Sequence, residues 1–111
     1  MEVKGLLDDN GVIAKACKIL PTEFSRDLIE SLSELENNEA HRTRTFPKTR
    51  LHKVEGIKDI YRADIDQISG WRLHVQYGKD NNVYLCDVLT GNEHDRVNKV
   101  IKTRKHRYAA K

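Results

Sequence analysis

The fold of this chain is decided by residues 71–89, WRLHVQYGKDNNVYLCDVL. Apolar and polar side chains alternate along residues 71–77, which predicts a strand with one buried face and one polar face. Residues 78–82 are rich in Gly, Asn and Asp, which accept positive φ, and they predict a tight turn. Nearly every residue of 83–89 is apolar, Asp87 being the exception, which predicts a central strand covered on both faces.

The segments that flank this hairpin extend the sheet. Residues 59–65 predict a further strand, joined to the hairpin by a turn at 66–70, and residues 2–7 predict a short edge strand. Turns this short force neighbouring strands to run antiparallel. We therefore expect a small antiparallel sheet of three to four strands.

Helical spacing of apolar residues appears in three other segments. Residues 12–20 and 22–37 each carry one apolar stripe, and Pro21 separates the two. The helical period returns from about Glu93 onward, whereas residues 39–50 show no apolar period and predict a basic loop. The expected fold is α+β, with two N-terminal helices packed on one face of the sheet and a basic C-terminal helix.

Charge is divided unevenly along the chain. The 111 residues include 20 Lys and Arg against 17 Asp and Glu, a net charge of +3. Residues 1–40 carry four basic and nine acidic residues, whereas residues 41–111 carry sixteen and eight. A basic region of this kind predicts an anionic partner.

Composition also excludes several classes of protein. No apolar run approaches the roughly 18–20 residues of a membrane span, and no apolar block near Met1 indicates a signal peptide. Cys17 and Cys86 are the only cysteines, and both lie among apolar residues, so we expect reduced core thiols. The expectation is a single cytoplasmic domain, residues 1–111, with a basic tail at 98–111 and no membrane partner.

No pattern in the sequence indicates a metal or cofactor site. The histidines and cysteines lack the spacing of a zinc site, and no glycine-rich phosphate loop or nucleophile elbow is present. We therefore expect no metal and no cofactor.

Cations gather instead around the polar face of the predicted sheet. Arg62 and Arg72 share that face if their strands pair across the 66–70 turn, and His94 and Arg96 follow the last strand. Cleavage of RNA without a metal needs a base for the 2′-hydroxyl proton, cations for the phosphorane charge and an acid for the 5′ oxygen. The candidate catalytic residues are therefore Arg62, Arg72, His94 and Arg96.

Other basic residues flank the same face or lie in the tail, which can also reach the sheet through Arg104, His106, Arg107 and Tyr108. The candidate RNA-binding residues are Arg42, Arg44, Lys48, Arg50, Lys53, Lys58, His74, Arg104 and Arg107. Exposed strands and helices commonly carry Arg and Lys, so RNA contact without catalysis stays open from the residues alone.

In its order and spacing of motifs, the stretch 50–97 resembles the RelE/ParE toxin superfamily. The resemblance lies in RLHKVEGIKDIYRADI at 50–65, GWRLHVQY at 70–77, the apolar run 83–89 and Gly91; the helical pair at 12–37 is similar in architecture only. It implies a RelE-like sheet with helices on one face, and the toxin of a toxin–antitoxin pair. The implied partners are a cognate antitoxin, the ribosome and mRNA.

The two branches of this superfamily imply different activities. A RelE-like toxin cleaves mRNA in the ribosomal A site without a metal, whereas a ParE-like toxin inhibits DNA gyrase and cuts nothing. The RelE branch implies that Arg62 and Arg72 orient and stabilise phosphate, with His94 as acid or base and Arg96 as a further cation. Asp64 and Glu93 stand at positions that are often basic in the family, so an inactive RNA-binding relative stays a third alternative.

Overall fold

The computed structural model describes residue 3 and residues 5–111, which form an α+β fold around one five-stranded sheet. The strand order is β1-β5-β4-β3-β2, with β1 parallel to β5 and the other neighbours antiparallel. The strands are β1 (Leu6–Leu7), β2 (His52–Lys53), β3 (Tyr61–Asp64), β4 (Arg72–Tyr77) and β5 (Val83–Leu89).

The α+β class and the three strands at 61–89 are confirmed, but the expected RelE-like fold with an antiparallel sheet of three to four strands is wrong, since the sheet is mixed and has five strands. Strand β2 is the fifth strand. Both of its residues are exposed, so no alternation of apolar and polar residues predicts it. Strand β1 pairs in parallel with β5. Residues 8–82, which include helices and three other strands, lie between the two, so the short turns that force antiparallel neighbours do not apply. Residues 2 and 4 of the predicted edge strand lie outside the described residues.

The two predicted N-terminal helices are present as α1 (Val12–Ile19) and α2 (Ser25–Glu36), with a 3-10 turn at Thr22–Phe24 between them. The Asp8 carboxylate accepts hydrogen bonds from the first backbone N–H groups of α1, at 2.7 and 2.9 Å. The apolar stripe of α2 packs on the first face of the sheet, where Leu28 and Leu35 form a core with Leu73 and Val75.

Helix α3 (Asn38–Thr43) occupies the first part of the loop predicted at 39–50, so that prediction is wrong for 39–43, whereas residues 44–50 form turns and irregular structure. His41 is fully buried and bonds the Leu35 carbonyl at 2.7 Å and the Tyr77 hydroxyl at 2.8 Å. The Glu34 carboxylate accepts three hydrogen bonds, from the backbone N–H groups of Lys48 and Thr49 and from the Thr49 hydroxyl. These contacts join distant segments, which a local pattern cannot show.

The second face of the sheet is covered by the C-terminal segment, residues 91–111, whereas the sequence indicated only that the tail can reach this face. Helix α4 (Gly91–His94), helix α5 (Val97–Thr103) and a 3-10 turn at Lys105–Arg107 cross this face. A second apolar cluster forms there from Val54, Ile60 and Cys86, packed by Ile57, Val97 and Tyr108. Among the described residues, none of the helices has the length and apolar composition needed to cross a membrane.

Asp87 ties this C-terminal segment to the sheet. Its side chain on β5 is fully buried, and it accepts hydrogen bonds from Lys15 Nζ at 2.8 Å and from Arg104 at 2.6 Å. A guanidinium nitrogen of Arg107 lies 3.9 Å away. Burial raises the pKa of Asp87, but the bonds from Lys15 and Arg104 outweigh burial and hold that pKa below its ordinary value.

We expect Asp87→Ala to lower the free energy of unfolding by about 3 kcal/mol, because the substitution removes the carboxylate that Lys15 binds and one of the two that Arg104 binds. Urea denaturation measures the change. The matched control is Glu39→Ala, which breaks an exposed ion pair with Arg42 and is expected to leave stability nearly unchanged. Equal effects of the two substitutions would contradict the role of Asp87.

Acid should weaken the same contact in the wild-type chain. Because the pKa of Asp87 is lowered in the fold, its contribution is complete above the ordinary value of 3.8 and is lost as pH falls through the lower, folded value. Asp87→Asn should therefore flatten the decline of stability below about pH 4. Parallel acid profiles of wild type and Asp87→Asn would exclude this linkage.

Candidate functional site

Strand register places the predicted site residues in two rows on the second face of the sheet. One row runs from His52 through Arg62 and His74 to Asp87, and in the other Asp64 pairs with Arg72. A β-bulge between β4 and β5 lies beside His74. The predicted common face of Arg62, Arg72 and His74 is confirmed.

Helix α4 brings His94 over this surface. A terminal nitrogen of Arg62 lies 3.2 Å from His94 Nε2, and a guanidinium only donates, so this nitrogen of the imidazole accepts. His94 is therefore neutral here, with its proton on Nδ1. Burial, followed by the charges of Arg72 and Arg62, lowers the pKa of His94 to about 4.

His74 lies beneath His94 and is fully buried. Its ring centroid is 5.8 Å from that of His94 and 5.7 Å from that of Tyr108, in edge-to-face contacts. His74 Nδ1 bonds the Tyr108 hydroxyl at 2.8 Å, while burial and the adjacent His94 lower its pKa to about 3. Because His74 stays neutral and enclosed, it supports His94 from below and does not face solvent.

Unpaired buried polar atoms are concentrated at this cluster. Within the described residues, three buried side-chain nitrogens lack a hydrogen-bond partner: Arg62 Nε, His74 Nε2 and His94 Nδ1. Buried polar atoms are nearly always paired in folded proteins. Three unpaired nitrogens in one cluster therefore mark a polar region that the fold itself does not fully satisfy, next to the guanidinium groups of Arg62 and Arg72.

Arg72 forms the outer side of the cluster. Its Nε donates to the Gly70 carbonyl at 2.8 Å, which fixes the guanidinium at the rim of the sheet. Burial and the neighbouring charge of Arg62 lower the pKa of Arg72. The guanidinium makes no ion pair within the described residues, so its charge is available to a ligand.

Two acidic residues in this region, Asp64 and Glu93, are held by arginines. Asp64 accepts from Arg50 at 2.7 and 2.9 Å, and an oxygen of the same carboxylate lies 3.6 Å from Arg62 Nε. Glu93 forms a capping box with Thr90 at the start of α4 and binds Arg104. Their negative charges are thus largely compensated from within the fold.

The remaining predicted residues lie away from the cluster or are occupied. The side chain of Arg96 is exposed and makes no hydrogen bond or ion pair with the described residues. The same is true of Lys53 and Lys58 on the rim of the sheet. Arg42 pairs with Glu39 and Lys48 with Asp27, whereas Arg44 binds the Tyr77 hydroxyl and stacks on Phe46. None of these contacts lies on the second face of the sheet.

The tail does reach the sheet face, as the sequence suggested. Arg104 and Arg107 point inward to Asp87, and Tyr108 packs on His74, but His106 is exposed. The sequence did not predict that Asp87 and Tyr108 support His94 from beneath. The one available signal was Asp87 itself, a lone carboxylate in an apolar strand that must find buried cations.

Among the described residues, no group of three or more His, Cys, Asp or Glu side chains is placed to hold a metal ion. Cys86 is buried, and burial raises the pKa of its thiol to about 12, so it is not a nucleophile at neutral pH. Comparisons with protein-family models, curated proteins and solved structures found no match to this chain. Function must therefore be argued from the site itself.

We expect inorganic phosphate to raise the pKa of His94 from about 4 by one unit or more, because an adjacent anion favours the imidazolium. Long-range proton–nitrogen NMR spectra, recorded against pH with and without phosphate, measure this shift. His41, on the other face of the sheet, serves as the internal control and should not respond. A His94 resonance that ignores phosphate would exclude an anion site here.

Proposed function

We propose that this chain is a metal-independent endoribonuclease that cleaves mRNA on the ribosome, the toxin of a toxin–antitoxin pair. The observation that carries the proposal is the contact of neutral His94 with Arg62, beside Arg72 and above unpaired buried nitrogens. Positive charge binds a phosphate, and a neutral imidazole next to it accepts a proton. Both are needed for cleavage, whereas binding alone needs only the charge.

The first step follows from the tautomer of His94. Its Nε2 lone pair is held by Arg62. When Arg62 turns its guanidinium to the scissile phosphate, this lone pair becomes available for the 2′-hydroxyl proton, and the phosphate charge raises the basicity of the imidazole. The 2′ oxygen then attacks phosphorus.

Arg62 and Arg72 stabilise the negative charge that grows on the phosphorane oxygens. The bond to the 5′ oxygen breaks, leaving a 2′,3′-cyclic phosphate and a 5′-hydroxyl. His74 is enclosed and cannot reach the leaving group. We therefore infer that the 5′ oxygen takes its proton from water on the open side of the cluster, next to Arg72.

Ribosome, mRNA and antitoxin as partners, together with a cytoplasmic location, follow from the resemblance of residues 50–97 to RelE-like toxins. The family departures do not argue against activity. Asp64 is paired with Arg50, and Glu93 with Arg104, so neither repels a phosphate at Arg62 as a free carboxylate would. A ParE-like gyrase inhibitor would have no use for the neutral imidazole beside Arg62.

We expect Arg62→Ala, Arg72→Ala and His94→Ala each to reduce mRNA cleavage about 100-fold or more, since each removes charge stabilisation or the base. Cleavage is measured by primer extension on mRNA in a purified translation system. The matched control is Arg26→Ala, an exposed arginine of α2 on the opposite side of the sheet, which should cleave like wild type.

Thermal unfolding of each variant separates loss of activity from loss of fold. A folded His94→Ala variant that cleaves like wild type would contradict the assignment of the base. Intact mRNA together with inhibition of gyrase supercoiling would replace the proposal by the ParE-like alternative. RNA binding with steep salt dependence but no cleavage would identify an RNA-binding relative.

A further inference from the structure

An open groove of about 500 Å³ lies directly beyond Arg72. One wall is the 67–71 turn and the other is the start of α4, and the lining includes Ile68, Trp71, Asn92 and Asp95. The groove is separate from the histidine cluster but shares Arg72 with it. A group bound to Arg72 therefore has two surfaces beside it, the histidines on one side and the groove on the other.

The floor of the groove is a close contact between two backbones. Gly70 has a φ of +84°, and a Cβ at this position would stand 2.9 Å from the Gly91 Cα. Only glycine meets both conditions, the left-handed backbone and the lack of space. The two walls are thus held at a fixed separation on either side of Arg72.

The walls combine apolar surface with hydrogen-bonding groups. Ile68 is 97% exposed, more than any other large apolar side chain among the described residues, and it stands at the tip of the turn. Trp71 is half-buried; it packs against the core on the first face of the sheet and also contributes to the lining of the groove. Asn92 is exposed, and its amide offers a donor and an acceptor. Flat apolar surfaces with an amide nearby suit a heteroaromatic ring.

We propose that this groove is a nucleobase subsite, which takes the base of the nucleotide whose phosphate Arg72 binds. The inference rests on the proposed ribonuclease function, because that function places a phosphate at Arg72. Ile68 and Trp71 pack against the base, and Asn92 and Asp95 bond its edge, so these residues set the sequence preference at the cleavage site. An acidic Asp95 in the lining favours bases that present an amino group.

The chain carries a single tryptophan, so its fluorescence comes from one position, Trp71 between the core and the groove. We expect a non-cleavable 2′-O-methyl RNA hexamer to quench this fluorescence saturably. A hexamer of equal charge that is abasic at the central positions should bind at least about tenfold more weakly and quench little, since one stacked base contributes this much or more. Equal binding of the two hexamers overturns the subsite.

Variants sharpen the same measurement. Ile68→Ser and Asn92→Ala should weaken the base-containing hexamer and change the ranking among A, C, G and U hexamers, while leaving the abasic hexamer unaffected. Ile29→Ser is the control, a 64% exposed isoleucine on α2, and should change neither. An unchanged ranking in both groove variants overturns the inference.

Failure of the subsite and failure of the proposed function are distinguishable in the same samples. If mRNA is cleaved but abasic and base-containing hexamers bind equally, the subsite is wrong and the ribonuclease proposal stands. If no hexamer binds and no mRNA is cleaved, both are wrong. Base-dependent quenching without cleavage supports the subsite and points to an RNA-binding relative.

Discussion

The structure depends on one buried charge, the Asp87 carboxylate on the central strand. A carboxylate in an apolar strand is tolerated only when cations are brought to it. Here Lys15 comes from α1 and Arg104 from just after α5, so segments from both ends of the described chain meet at the same strand. Arg104 also binds Glu93 and thereby fixes α4. The position of His94 above the sheet is thus a consequence of the charge on Asp87.

Where a residue faces the core, the sequence predicts its element well. Strand β4 and helices α1 and α2 follow from the period of their apolar residues, because burial on one face imposes that period. Strand β5 follows from its continuous apolar run, because both of its faces are buried. Strand β2 has two exposed residues and no period, and α3 depends on Glu34 and His41 reaching distant backbone groups. Such elements are set by tertiary contacts, which leave no local pattern.

The candidate site was predictable to the same extent. Period two placed Arg62, Arg72 and His74 on one face, but it could not show that a C-terminal segment covers that face and buries His74. Residue type suggested that Arg104 binds RNA, whereas the fold turns it inward to Asp87. The role of a charged residue depends on the opposite charge that lies nearest to it in space, and the sequence alone does not show which residue carries that charge.

Internal pairing also explains how a chain with many cations can be selective about where it binds phosphate. A uniformly basic surface attracts RNA everywhere and orients no single phosphate. In this fold four cations have a carboxylate partner: Arg42, Lys48, Arg50 and Arg104. Their pairing weakens the attraction of RNA to surfaces outside the cluster. Arg72 keeps its charge unpaired, and Arg62 contacts a neutral imidazole at 3.2 Å. The acidic residues therefore act as part of the site, because they neutralise several of the other cations and leave the charge of Arg72 free near a proton acceptor.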